Sequence, residues 1–229
     1  MGDEGRPDVA KVLAGLKPFQ RDTVDHVFER LYHDPQGSNR FLISDEVGLG
    51  KTLVARGVIA KAIDHLWPRL PDIDRIDIVY ICSNGAIARQ NINRLNVMGR
   101  EAAVHASRVT MLPTQLHGLR ERKVNFVSFT PGTSFDLKSS MGKWEERVVL
   151  YWMLRQAWDF GGVSGPMNLF QGWVSVENTE WFRSYLKRFP KNNPIDKGLQ
   201  ERFDETVRAA VRNAEAAGET TLRERFDEL

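Results

Sequence analysis

The chain has 229 residues, of which 41% are hydrophobic, enough for one large domain or a domain with a sizeable insertion around a real core. Thirty-two Lys and Arg stand against 30 Asp and Glu, so a net charge of +2 neither demands nor excludes a polyanionic partner, which only local patches can decide. One cysteine, Cys82, excludes a disulfide framework, and His26, His33, His65, His105 and His117 are scattered without ligand spacing, so no metal is assigned to either residue type. The N-terminal MGDEGRPDVAK lacks a signal-peptide core and no apolar run approaches 18 residues, which predicts a cytoplasmic chain with no membrane partner.

In chain order, Phe19, Val24, Val27, Phe28 and Leu31 recur at helical spacing behind a proline, which predicts a helix from about 18 to 33. HDPQGSN is turn chemistry, and RFLIS after it predicts a short buried strand. From Gly50 the apolar positions Leu53, Val54, Val58, Ile59, Ala62, Ile63 and Leu66 build one helical face that ends at Pro68. IDIVYICS predicts a second buried strand, followed by a helix over NGAIARQNINRL with Ser83-Asn84 at its start. RVTML and VNFVSFT are two further strand candidates, and the alternation of strands and helices implies a parallel sheet with both faces covered. Beyond residue 135 the pattern turns helical in GKWEERVVLYWMLRQAWDF and LQERFDETVRAAVRNAEAA, separated by GGVSGPMNLFQG and FPKNNPIDKG. Five tryptophans, Trp144, Trp152, Trp158, Trp173 and Trp181, lie in this half.

The most informative stretch is SDEVGLGKT. A phosphate loop needs a turn out of a strand, backbone N–H groups free to converge on anionic oxygens, and a helix N-terminus aimed at them. Gly48 and Gly50 let the backbone approach, Lys51 brings a point charge for the β and γ phosphates, and Thr52 offers a hydroxyl to Mg²⁺. A G-x-x-x-x-G-K-[ST] loop would carry glycine where this chain has Asp45. A dinucleotide-binding turn fits worse, because its third glycine position holds Leu53.

DEVGLGKT resembles motif I of superfamily 2 helicases, and most closely that of Swi/Snf-type DNA-dependent ATPases, in which an Asp-Glu pair precedes Gly-x-Gly-Lys-Thr. LKPFQ is similar to the upstream glutamine motif, with Gln20 at the adenine edge; YICSNGAIARQNINRL to motif Ia; and SFTPGTSF to motif Ib, with Thr130, Pro131 and Gly132 at a phosphodiester. The resemblance covers residues 16 to about 135. It implies an α/β fold, a P-loop RecA-like parallel sheet flanked by helices over 1–135, while the residues of 136–229 themselves predict a mainly helical insertion or subdomain. It also implies ATP and Mg²⁺ as cofactors, held by Gln20, Asp45, Glu46, Gly48, Leu49, Gly50, Lys51, Thr52 and Leu53, with Thr52 on the metal and Lys51 catalytic. Nucleic acid, DNA rather than RNA, would meet Ser83, Asn84, Thr130, Pro131 and Gly132, and a second RecA-like lobe is expected in cis in the full-length protein.

Each weaker element has an ordinary structural alternative: Gln20 as a solvated helix residue, the two loops as surface turns. WFRSYLKRFPKNNPIDK mixes Arg183, Lys187, Arg188 and Lys191 with aromatics, which suits either a nucleic-acid surface or an amphipathic helix with its charges solvated. The Asp-Glu pairs after the glycine loop, Asp204-Glu205 and Asp227-Glu228, follow charged helical sequence rather than a buried strand, so the chain is expected to end before its DExx box and, alone, to lack turnover. The function predicted is the ATP-binding N-terminal portion of a helicase or translocase; a P-loop NTPase with no nucleic-acid role and a non-catalytic ATP-binding interaction module stay open.

Overall fold

The structure is a computed structural model that describes residues 5–44, 46, 48–98, 103–106, 108–134, 143–158, 160, 164–172 and 175–228. The chain divides into two compact units, Met1–Ser107 with Arg120–Phe135, and Arg108–Leu119 with Asp136–Leu229.

The first unit opens with α1 (Val9–Ala14), capped by the Asp8 carboxylate on the Lys11 amide, and α2 (Pro18–Tyr32), which has its proline in the first turn. Helix α3 (Lys51–Leu66) starts at the glycine loop and runs into a single 3₁₀ turn (Trp67–Arg69) and the short α4 (Leu70–Ile73), as Pro68 and Pro71 each remove a backbone donor. Strands β1 (Ile76–Ile81), β2 (Ala103–Ala106) and β3 (Val124–Phe129) form the sheet, with α5 (Gly85–Leu95) after β1 and α7 (Pro131–Ser134) after β3; α6 (Leu116–Glu121), which precedes β3, has its first four residues in the second unit. All pairing is parallel in the order β1-β3-β2, with Ile76 opposite Val124 and Ile81 opposite Phe129. Asn125, fully buried, donates to the Asp77 carboxylate across that register at 2.9 Å, so the polar pair sits directly opposite itself in the ladder. Ile63, Leu70, Ile76, Ile92, Val124 and Phe126 form one apolar core beneath the sheet; Leu16, Val24 and Val54 form a second between α2 and α3. Gly57 makes that second contact possible, because an added Cβ would stand 2.7 Å from a Val24 methyl.

The second unit is helical: a 3₁₀ segment (Val109–Thr114), α8 (Trp144–Ala157), α9 (Ser164–Gln171), a short 3₁₀ turn (Val176–Asn178), α10 (Thr179–Asn192), α11 (Lys197–Ala217) and α12 (Leu222–Asp227). Its core gathers Val148, Val149, Tyr151 and Met153 of α8, Phe170 of α9, and Phe182, Leu186 and Phe189 of α10. Arg147 donates to the carbonyls of Phe170 and Gln171, and Trp152 to that of Leu186, fastening α8 to its neighbours.

The expected fold class is overturned. In place of a multi-stranded RecA-like P-loop sheet flanked by helices, the described residues are mainly helical with a small three-stranded parallel sheet, one strand of which has four residues. RFLIS, expected as the strand that feeds the glycine loop, has no strand partner among the described residues; Ile43 packs into the α2–α3 core while Leu42 is 84% exposed. An apolar run alone does not make a strand, because the ladder's hydrogen bonds need a neighbour. RVTML is a 3₁₀ turn rather than a strand: Pro113 cannot donate to a ladder, and Thr114 bonds back to the Met111 carbonyl at 2.7 Å. GGVSGPMNLFQG contains helix α9 where only a loop is expected, and β2 is a strand that the sequence pattern did not announce.

Candidate nucleotide site

Helix α3 supplies the site's direction. Gly50 is its N-cap with φ +85° and no side chain to cap the first amides, which leaves the positive end of the helix open to an anion. Gly48 also has positive φ, at +94°, and nothing lies within 4 Å of where a Cβ would be, so the turn stays open to a bulky ligand. A cleft of about 580 Å³ is lined by Gly48, Gly50, Lys51, Thr52, Leu53, Arg56 and Arg94. That volume lies within the range of small-molecule sites, roughly 300 to 1,000 Å³. The predicted residues Gly48, Gly50, Lys51, Thr52 and Leu53 are thus brought together in one wall.

Gln20 reaches this loop from α2. Its amide nitrogen donates to the Leu49 carbonyl at 2.9 Å, and its amide oxygen accepts from the Lys17 amide at 3.0 Å. At 5% exposure, with both polar groups bound to backbone, it braces the loop in this state. The brace lies so close to Gly50 that an added Cβ there would stand 2.5 Å from the Gln20 amide nitrogen. Lys51 folds its ammonium onto the Glu46 carbonyl at 2.8 Å, holding the loop where a phosphate would otherwise draw the charge outward. Glu46 itself is exposed, and Asp45 lies outside the described residues.

Sequence reasoning missed Arg56 and Arg94. Arg56 follows Thr52 by four residues on α3, hence on the same face one turn on, a spacing that could have marked it. Its Nε is buried without a hydrogen-bond partner among the described residues, an N–H that an anionic oxygen in the cleft would satisfy. Arg94, in the last turn of α5, comes from a different element, and only the packing of α5 against α3 brings it to the cleft.

The predicted nucleic-acid loops sit side by side at the C-terminal ends of β1 and β3. The Cys82 amide donates to the Phe129 carbonyl at 3.1 Å, and a Cβ on Gly85 would be 3.6 Å from the Thr130 hydroxyl. Asn84 caps α5, accepting from the amides of Ala86 and Ile87 at 2.9 and 3.1 Å, while Ser83 beside it is exposed. Thr130 is buried at 4%, so Pro131 and Gly132, both exposed, are what that turn presents to solvent. Arg89, one turn into α5 and also exposed, adds a cation beside these loops that the sequence pattern did not single out.

Among the described residues no group of three or more His, Cys, Asp or Glu could hold a metal, and no helix is long and apolar enough to cross a membrane. A cation in this cleft would rely on the Thr52 hydroxyl and on the ligand's own oxygens. No family model, no curated protein and no solved structure matches the chain, and what the cleft can do follows from its residues alone.

Proposed function

We propose that this chain binds Mg-ATP in the glycine-loop cleft and belongs to the ATP-binding portion of a superfamily 2, Swi/Snf-like motor acting on nucleic acid, DNA rather than RNA. The observation that carries it is the cleft: two positive-φ glycines, a lysine, a threonine and the open N-terminus of α3 on one wall of a space of about 580 Å³. This is the donor set a triphosphate requires, with backbone N–H groups for its oxygens and fixed positive charge close by. Lys51 would leave the Glu46 carbonyl for the β and γ phosphates, and Gly48 and Gly50 would let the backbone close on them. Mg²⁺, when bound, supplies the charge that neutralises those phosphates, and Thr52 is the side chain of the cleft that would hold it. The nucleic-acid part of the proposal is supported by the two loops at the ends of β1 and β3, with Arg89 beside them, at the edge of a parallel sheet where ligands characteristically bind.

Titration calorimetry with Mg-ATP tests the assignment. Charge-assisted contacts to phosphate are worth about 1.5–3 kcal/mol, so Lys51→Ala is expected to weaken binding at least about tenfold. Equal affinity of wild type and variant would remove the cleft from consideration.

A further inference from the structure

The exposed face of α10 in the second unit carries a pattern that the glycine-loop cleft does not use. Arg183, Lys187 and Lys191 follow one another at intervals of four residues and so form a row about 12 Å long on the helix, with Arg188 beside it. All four are exposed, and none forms an ion pair with a described residue: Arg183 donates to the Asn168 amide oxygen at 3.4 Å and Arg188 to the Ser184 carbonyl at 3.3 Å. Within the helix the only acid is Glu180, at its N-terminal end. Like charges one turn apart repel, so the row carries a standing cost that a polyanion would relieve.

On the flank of the helix that also carries Arg188, two turns on, stands Trp181, 46% exposed and stacked on Tyr185 with ring centroids 5.7 Å apart and planes 23° from parallel. Trp144 meets both rings edge-on, at 4.7 and 4.9 Å, and holds the pair in place. A rigid, half-exposed indole in line with Arg188 suits a chain of phosphates whose bases are free to stack. The apolar face of the helix is already committed, with Phe182, Leu186 and Phe189 buried in the core, so α10 cannot lay that face into a bilayer while the unit stays folded.

We propose that this surface binds single-stranded nucleic acid, Lys187, Arg188 and Lys191 taking the phosphates and Trp181 stacking on a base. It deepens the nucleic-acid part of the proposed function by naming a surface, and it does not depend on the glycine loop. Fluorescence anisotropy with labelled oligo-dT, titrated at several salt concentrations, measures it on the whole chain. Each lost phosphate contact reduces the slope of log K against log salt by about 0.7, so Lys187→Gln with Lys191→Gln should reduce it by about 1.4 and weaken binding at low salt. Trp181→Ala should weaken binding about tenfold and leave the slope unchanged, while Trp181→Phe, which keeps a ring against Trp144 and Tyr185, should recover part of the loss. Lys51→Ala should bind oligo-dT as wild type does, so loss of the nucleotide assignment and loss of this one are separate results. The proposal is overturned if wild type does not bind at low salt, if the slope of the double variant is unchanged, if Trp181→Ala binds normally, or if duplex DNA or poly-glutamate competes as well as oligo-dT.

Discussion

Gly48 and Gly50 look equivalent in the sequence and differ in the structure. Both have positive φ, but only at Gly50 would a Cβ collide, 2.5 Å from the Gln20 amide nitrogen. Gly50→Ala is therefore expected to cost about 1–3 kcal/mol and to lower nucleotide affinity as the brace is displaced, while Gly48→Ala carries the backbone penalty alone. Thermal melts of the two variants compare them directly, and equal losses would show that the Gln20 contact contributes nothing. Arg56 and Arg94 form the next pair. If they hold phosphate oxygens, Arg56→Ala and Arg94→Ala each weaken Mg-ATP about tenfold by calorimetry, and unchanged affinity would leave the loop as the whole site. The loop residues were legible in the sequence because their chemistry is contiguous. Arg94 was not, since nothing before the packing of α5 on α3 connects it to Thr52.

At the scale of elements, hydrophobic period identified most helices but could not supply strand partners. RFLIS has the composition of a buried strand and still forms none, because no neighbouring backbone pairs with it among the described residues. VNFVSF becomes a central strand because β1 and β2 flank it on both sides. The segment 109–114 is decided by tertiary contacts too: Thr110 and Arg108 both donate to Glu146 of α8, which fixes the 3₁₀ turn against that helix. Burial would raise the Glu146 carboxyl, but hydrogen bonds from Thr110, the Lys143 amide and Arg108, together with the Arg108 charge, outweigh it and hold the group below its usual range. A carboxylate depressed in the folded state adds stability above its unfolded pKa, about 4.3, and that stability is lost as pH falls through the folded value. The melting temperature of the second unit should accordingly drop below about pH 4.3, and Glu146→Gln should be less stable at neutral pH and flatter with acid. Equal pH profiles would dissociate this carboxylate from the acid response. Glu224 is shifted in the same direction, through the Thr221 amide and hydroxyl, on an exposed helix start.

On the scale of the whole molecule the question is turnover. Asp204-Glu205 lie within α11, where Asp204 accepts from Gln200 at 2.6 Å, and Asp227 ends α12, pairing with Arg223 at 2.8 Å, with Glu228 as the helix C-cap; neither pair ends a strand. Phosphoryl transfer depends on positioning and charge, and an arginine finger alone contributes about 10³–10⁵ in rate. The chain should therefore bind Mg-ATP and hydrolyse it below about 1 s⁻¹ with or without DNA, and a faster rate abolished by Lys51→Ala would place the catalytic acid within these residues. Sequence by itself determined the helices with a clear apolar stripe, the Asn84 cap of α5 and the grouping of Gly48, Gly50, Lys51 and Thr52 at the start of α3, because each depends on residues a few positions apart. Only the tertiary structure decided the size and order of the sheet, the Gln20 brace, the two arginines of the cleft and the transfer of residues 108–119 to the helical unit. These depend on which surfaces meet after the chain has folded back over tens of residues, and local period and composition carry no record of that.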